Sequence, residues 1–358
     1  MEVLYKMEIG ISTFAETTPD HRTGKTISHA DRIKEIIEEI KLADAVGLDV
    51  YGVGEHHRSD FAASSPEMIL AAAAPLTKNI RLSSAVTVLS SADPIRIFQN
   101  FATLDGLSDG RAEMMVGRGS FTESFPLFGF DLQQYDELFD EKLELLMEIQ
   151  KNNKEVHWHG GHRSAIKGLG VYPNPVQEKI PITVGTGGNP ESSIRAASLG
   201  LSVVYAIIGG QPELFAPLVD LYKQTAARIG HDINKLQVAS HSHGFVAKTC
   251  DEAAEKFFEP TQYVMNVLAK ERGWPPYTRA SYDAARSFDG ALYVGDSETV
   301  AKKIIHLRKV VGITRFYMHL PLGTMLHKDV MNAIELLGKE VAPMVREEIK
   351  QWENASTF

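Results

Sequence analysis

The chain has 358 residues, 44% of them hydrophobic and 23% charged, which is an ordinary globular composition with enough apolar material to enclose a cofactor. A formal net charge of -9 argues against nucleic acid or an anionic membrane as partner, since both select basic surfaces. One cysteine, Cys250, rules out an intrachain disulfide and suits a cytoplasmic location.

The N-terminus carries charge at Glu2, Lys6 and Glu8 and does not read as a signal peptide. From there, apolar runs alternate with helical patterns, as in βαβ units. A first strand is predicted over residues 8–14 and a helix over 28–46, striped by Ile33, Ile36, Ile37 and Ile40 at helical spacing. A second strand follows at 50–55, then an alanine-rich helix at 66–77, whose small and apolar run 69–76 is too short to span a bilayer. The third strand is 80–89, and Pro94 opens the helix 94–107. The fourth strand is 112–117, with a helix at 135–150. Residues 151–179, with Pro173, Pro175 and several glycines, are expected to be irregular. The fifth strand (182–185) and helix (190–199), the sixth strand (201–206) and helix (212–229), and a seventh strand (236–247) follow. An insertion is expected at 260–290, then the last strand at 315–320 and a helix striped by Val330, Ala333, Ile334 and Leu337. Eight alternations, with no GxGxxG after the first strand, favour a (β/α)8 TIM barrel, with an insertion before the last strand, over a doubly wound open sheet. No linker divides the chain, so residues 1–358 read as one domain.

Barrel active sites lie at the C-terminal ends of the strands. The second strand ends Gly54-Glu55-His56-His57-Arg58. Adjacent side chains point to opposite sides, so one histidine faces the mouth, suited to acid/base work; the alternative is that both hold loops. The third strand carries Ala85-Val86-Thr87-Val88-Leu89, where small Ala85 lets a flat ring approach the backbone. The fourth ends Gly117-Arg118-Gly119-Ser120: the guanidinium matches phosphate oxygens, or serves a structural ion pair. The fifth runs into Gly185-Thr186-Gly187-Gly188-Asn189-Pro190-Glu191-Ser192, bare amides before a capped helix start, which is an anion site or a tight turn without a ligand. On the seventh, His241 and His243 share a side and read as polar packing sooner than a metal pair. His157-Trp158-His159 reads as surface structure.

Taken together, these residues resemble the bacterial luciferase-like flavin-dependent monooxygenases, nearly from end to end. Tyr293-Val294-Gly295-Asp296-Ser297-Glu298 and Ile334-Glu335-Leu336-Leu337 extend the likeness to the tail. The resemblance implies a barrel binding FMN, with reduced FMN as cosubstrate, and in a minority of relatives the deazaflavin F420. It makes His56 the active-site histidine and His57 its structural neighbour. It sets a non-proline cis peptide at Ala85–Val86 beneath the flavin ring and counts Glu55, His57 and Thr87 with these two among the cofactor-binding residues. It assigns the phosphate to Arg118, Gly119, Gly187, Gly188 and Ser192. Two departures stand out. Gln134-Tyr135 replaces an Arg-Tyr pair, which weakens an anionic-substrate clamp there, and Gly117 replaces the luciferase cysteine, so light emission is not supported.

The expectation is a monooxygenase using reduced FMN and O2 on a small organic substrate, with His56 as acid/base. A separate flavin reductase would feed it, and by resemblance it would be a homodimer. The alternatives are F420-dependent hydride transfer, a non-catalytic flavin-binding protein and a metal hydrolase. The segment 260–290, with Trp274, Pro275, Pro276 and Tyr277, would be a lid over the pocket or the cover of a dimer surface.

Overall fold

The structure is a computed structural model that describes residues 7–355. The charged start at Glu2 and Lys6 lies outside them. In chain order the elements are β1 (Glu8–Thr13), α1 (His29–Ala45), β2 (Val50–Val53), α2 (Pro66–Ala73), β3 (Arg81–Ser84), β4 (Thr87–Val88), α3 (Pro94–Leu107), β5 (Ala112–Gly117), α4 (Ser124–Phe128) and α5 (Tyr135–Lys151). The chain continues through β6 (Val156–Trp158), β7 (Ile166–Leu169), β8 (Ile182–Thr186), α6 (Pro190–Ser198), β9 (Ser202–Ala206), α7 (Ala216–Ile229), β10 (Val238–Val246) and α8 (Cys250–Arg272). It ends in α9 (Arg279–Ala285), β11 (Tyr293–Gly295), α10 (Ser297–Val311), β12 (Arg315–His319), α11 (His327–Leu336) and α12 (Ala342–Ala355).

Strands β12, β1, β2, β3, β5, β8, β9 and β10 pair in parallel in that order, and β10 pairs back onto β12. The eight strands therefore close into the expected TIM barrel, with helices between them. Local chemistry marks the helix starts. Ser28 accepts from the Asp31 amide at 3.1 Å, Asp93 from Ile95 at 2.9 Å and Asn189 from Ser192 at 3.0 Å, each satisfying an N–H that the first turn leaves open. No described helix is long and apolar enough to cross a membrane.

Four readings need correction. The expected strand 80–89 is broken, because the Ala85–Val86 peptide is cis and separates β3 from β4. The irregular stretch 151–179 holds an antiparallel hairpin, β6 with β7. The first four residues of the expected helix 212–229 form a 3-10 turn, Pro212–Phe215. The insertion expected at 260–290 starts inside a helix: α8 runs through Pro260. There proline misled, because it reads as a boundary even where packing carries the helix past it. α9, β11 and α10 follow, and β11 extends β10 alone.

The register stacks the barrel interior in tiers. Glu8, Glu113 and Arg315 lie at the N-terminal end, joined by hydrogen bonds. Val50, Met115, Val204, Ala239 and Tyr317 form a buried apolar tier, with Ala85 and Val86 packed on it. Ser12, His241 and His319 belong to the upper end, where the strands finish.

Candidate active site

One wall of the mouth is built from the smallest residues available. A Cβ at Gly52 would sit 2.7 Å from Ala85 Cβ, and one at Gly54 would sit 2.4 Å from the Phe14 ring. At Gly117 and Gly185 it would lie 3.0 Å from the Val86 methyls. These glycines thus make room for the side chains of the Ala85–Val86 segment. Glu55 holds that segment. Its amide donates to Val86 O at 3.1 Å, and its carboxylate accepts from the Val88 amide at 2.8 Å and pairs with His57 Nε2 at 2.7 Å. Glu55 and His57 therefore spend their polar atoms on bracing the floor. Thr87 is fully buried and its hydroxyl has no partner among the described residues.

His56 turns inward. Its ring packs among Phe61 at 4.3 Å, Phe14 at 4.7 Å and Phe121 at 4.9 Å. Burial in this aromatic cage pushes its pKa down to about 3, because the charged form loses its water. The expected acid/base role narrows accordingly. At neutral pH His56 is a neutral imidazole that gives or takes a hydrogen bond without changing charge.

The ends of β5 and β8 bring Arg118 and Ser192 together: Arg118 Nη2 donates to Ser192 Oγ at 3.3 Å. Arg118 also pairs with exposed Asp136 and lies over the Tyr135 ring, 5.4 Å from its centroid. Tyr135 in turn donates to the Gly119 carbonyl. Gly119 has φ +80°, and a Cβ there would strike Val88 at 2.9 Å. The Gly188 amide donates to Thr186 Oγ1 at 3.3 Å and the Ser192 amide to Asn189. The side-chain donors at this rim are the Ser192 hydroxyl and the Arg118 fork, whose two branches are held by Asp136 and Ser192, beside Gly187, which faces open space. A guanidinium and a hydroxyl flanking a glycine turn fit a phosphate.

Three residues of the site escaped the sequence reading: Ser12, Glu16 and His319. Ser12 Oγ lies 2.6 Å from His241 Nε2 and 3.3 Å from His319 Nδ1, and His319 Nε2 lies 2.8 Å from Glu16 Oε1. His243 packs edge-on against His319 at 5.1 Å. Of the two histidines of β10, His241 thus joins a hydrogen-bonded cluster, whereas His243 only packs against it and its buried Nδ1 has no partner among the described residues. Burial lowers the pKa values of His319 and His243 to about 3 and raises that of Glu16 to about 7. No motif announces the cluster, since Ser12 and His319 are 307 positions apart.

The end of α8 reaches the mouth as well. Glu271 pairs with Arg58 at 2.9 Å, and the Arg272 guanidinium lies 5.1 Å from the Trp274 ring and 5.8 Å from Phe121. His157 is exposed on the hairpin, as the surface reading expected.

Comparison with known proteins bears on the family and the fold. A family model described as luciferase-like monooxygenase matches residues 7–314. An N-acetyl-S-alkylcysteine monooxygenase of Bacillus subtilis is 31% identical over 324 residues, covering 86% of this chain and 92% of that protein. Among solved structures, the FMN complex of the oxygenating constituent of 3,6-diketocamphane monooxygenase from Pseudomonas putida superposes with a TM-score of 0.74 at 22% identity, over 95% of this chain and 98% of that one. The coenzyme F420-dependent tetrahydromethanopterin reductase of Methanopyrus kandleri gives 0.71 at 22%, over 94% and 99%.

Proposed function

Because the chain belongs to the luciferase-like monooxygenase family, we propose that it is a flavin-dependent monooxygenase that uses reduced FMN and O2 to oxygenate a small organic substrate. The observation that carries this reading is the layout of the mouth. A glycine-lined floor at Ala85–Val86, the Arg118–Ser192 pair and the caged His56 all lie at the C-terminal strand ends. When bound, reduced flavin supplies the electrons that activate O2. Arg118, Ser192 and Gly187 would hold the phosphate, and the Ala85–Thr87 segment, braced by Glu55 and His57, would support the ring. His56 would hydrogen-bond at the reacting edge while Phe14, Phe61 and Phe121 exclude water. The segment around α8 and α9 acts as a lid, through Glu271, Arg272 and Trp274.

The relative from Bacillus subtilis directs the substrate screen. Small S-alkylated N-acetylcysteines come first, and the Arg272 guanidinium beside Phe121 suits their carboxylate. A separate reductase would deliver the reduced flavin.

The test is a titration of the purified protein with oxidised and reduced FMN, and with F420, followed by fluorescence and absorbance. Saturable FMN binding, followed by O2-dependent turnover in the screen, supports the reading. Binding of F420 alone moves the protein to hydride transfer, and binding of no flavin overturns the cofactor assignment.

A further inference from the structure

The mouth contains more acid/base machinery than His56, and it is connected to the outside. Four groups from three separate parts of the chain join end to end: His241 Nε2 to Ser12 Oγ at 2.6 Å, Ser12 Oγ to His319 Nδ1 at 3.3 Å, and His319 Nε2 to Glu16 Oε1 at 2.8 Å. Ser12 and His319 are fully buried and Glu16 is 2% exposed. The His241 end belongs to the reaction chamber: Phe14 stacks on its ring at 6.0 Å and touches His56 at 4.7 Å with the same ring. The Glu16 end borders a cavity of about 20 Å³ that is also lined by Arg32, Glu35, Thr324 and His327. That volume has the size of one water molecule. Glu35 and His327 are partly exposed, 27% and 23% at the side chain, so the cavity leads to the surface between α1 and α11.

We propose that His241, Ser12, His319 and Glu16 form a proton-conducting chain between the reaction chamber and solvent, leaving through the side of the barrel by way of Glu35 and His327. The proposal rests on the reading of the mouth as a reaction chamber. Every donor and acceptor in the chain has a partner in two opposite arrangements. With Glu16 ionised, His319 donates Nε2–H to it, Ser12 donates to His319 Nδ1, and His241 donates Nε2–H to Ser12, so that His241 Nδ1 carries a lone pair. A proton taken up at His241 Nδ1 shifts each bond by one place. His241 Nε2–H passes to Ser12, the Ser12 proton to His319 Nδ1, and the His319 Nε2 proton to Glu16. One proton has entered, one carboxylate has become a carboxylic acid, and no imidazole is charged in either state. This matters because burial disfavours the imidazolium of each histidine here, through the same loss of water, with His319 at about 3 and His241 well below its ordinary value. None of them stores a proton alone at neutral pH, whereas Glu16, at about 7, stores it for them.

The groups facing Glu16 are Thr13 on β1, whose hydroxyl lies 3.4 Å from it, His319 on β12, His243 on β10 and Arg32 on α1. Arg32 does not clamp the carboxylate, because its strong partner is Glu39, at 2.5 Å. At the exit, burial raises Glu35 above its ordinary value, and the carboxylates of Glu39 and Glu38 raise His327.

The test needs no flavin or substrate. Uniformly ¹⁵N-histidine-labelled protein is titrated from pH 5.5 to 9 by NMR, with His241 and His319 assigned from His241→Gln and His319→Gln. The expected result is that both rings remain neutral and exchange tautomers together in one transition with a midpoint near 7, and that Glu16→Gln abolishes the exchange. A structural carboxylate–histidine bond would instead hold one tautomer throughout. Fixed tautomers across the range, or an exchange that survives in Glu16→Gln, overturns the proposal whether or not the protein binds a flavin.

Discussion

The two ends of this barrel interior bury polar groups in opposite ways. At the N-terminal end the groups are ions. Arg315 donates to both oxygens of Glu113, at 2.6 and 3.1 Å, and to Glu8 at 2.7 Å. Arg81 pairs with Glu113 and Gln237 bonds Glu8. Burial alone would raise the Glu113 carboxyl, but Arg315 outweighs it and holds the group below its ordinary value. At the C-terminal end the groups are imidazoles kept neutral, beside one carboxyl pushed up. The lower end spends its charges on each other, which is a device for closure. The upper end leaves hydrogen-bonding capacity and an open glycine wall unspent, as expected of the barrel face that carries chemistry.

The largest effect separating the two ends is their response to acid. An imidazole depressed in the folded chain leaves the unfolded chain to bind the extra proton. Its stabilisation is therefore full above about pH 6.5 and is lost as pH falls toward 3. Glu16 acts in the other sense: its raised value favours folding most below about 4.5 and loses that effect as pH rises to about 7. Between pH 6.5 and 4.5, His56, His243 and His319, each at about 3, cost roughly 3 kcal/mol apiece, and Glu16 returns roughly the same amount once. The net loss from these four groups is on the order of 5 kcal/mol, and His241, also held well below its ordinary value, adds to it. The lower carboxylates barely titrate in this window, since Glu113 ionises below its ordinary value. Urea unfolding at the two pH values measures the loss, and His243→Phe should shrink it. Equal unfolding free energies would mean that the upper end is not the neutral cluster described.

The next effect is at the lower end. Arg315→Leu leaves Glu113 buried with one cation fewer and should destabilise by about 3–5 kcal/mol. Ser12→Ala removes only uncharged hydrogen bonds above it and should cost about 1 kcal/mol. Chemical denaturation of both variants at pH 7.5 tests the ordering, and a Ser12→Ala loss as large as that of Arg315→Leu would erase the distinction between the ends.

Arg118 offers a third contrast, since it is an arginine of the upper rim whose ion pair lies at the surface. Arg118→Ala should change stability by no more than about 0.5 kcal/mol. It should weaken FMN binding by about 10- to 100-fold, as the loss of a charge-assisted contact does. Fluorescence titration set beside a melting curve reads both. Unchanged FMN affinity would return Arg118 to a structural role.

The same contrast explains what the sequence made legible. The eight strands were readable because each is a local apolar run bounded by caps, such as Asp93-Pro94 and Asn189-Pro190. The glycine-flanked motifs at 54–58, 117–120 and 185–192 were readable because their chemistry is contiguous. Glu16, Ser12 and His319 were not, since no local pattern ties a buried glutamate at one end of the chain to a histidine 303 positions later. α8 was missed because Pro260 and a mixed surface hide its stripe. The Gly188 amide looked free, since a sequence does not show that Thr186 has already claimed it, whereas the Asn189 cap on the Ser192 amide was legible.

The smallest effect is also the most discriminating for the rim. Asp136, exposed on α5, takes one branch of the Arg118 guanidinium while Ser192 takes another. If that guanidinium serves a phosphate, Asp136 competes with it, both by occupying a donor and by placing a negative charge nearby. Asp136→Asn keeps the shape of the side chain and removes the charge. The gain for an exposed pair is small, about 0.5 kcal/mol, so FMN should bind about two- to threefold more tightly, and riboflavin, which lacks the phosphate, should bind as before. High salt should narrow the gap between variant and parent, because screening weakens the carboxylate's competition. Equal tightening for FMN and riboflavin would mean that the substitution acts through the ring site, and that Arg118 and Asp136 are simply a surface pair.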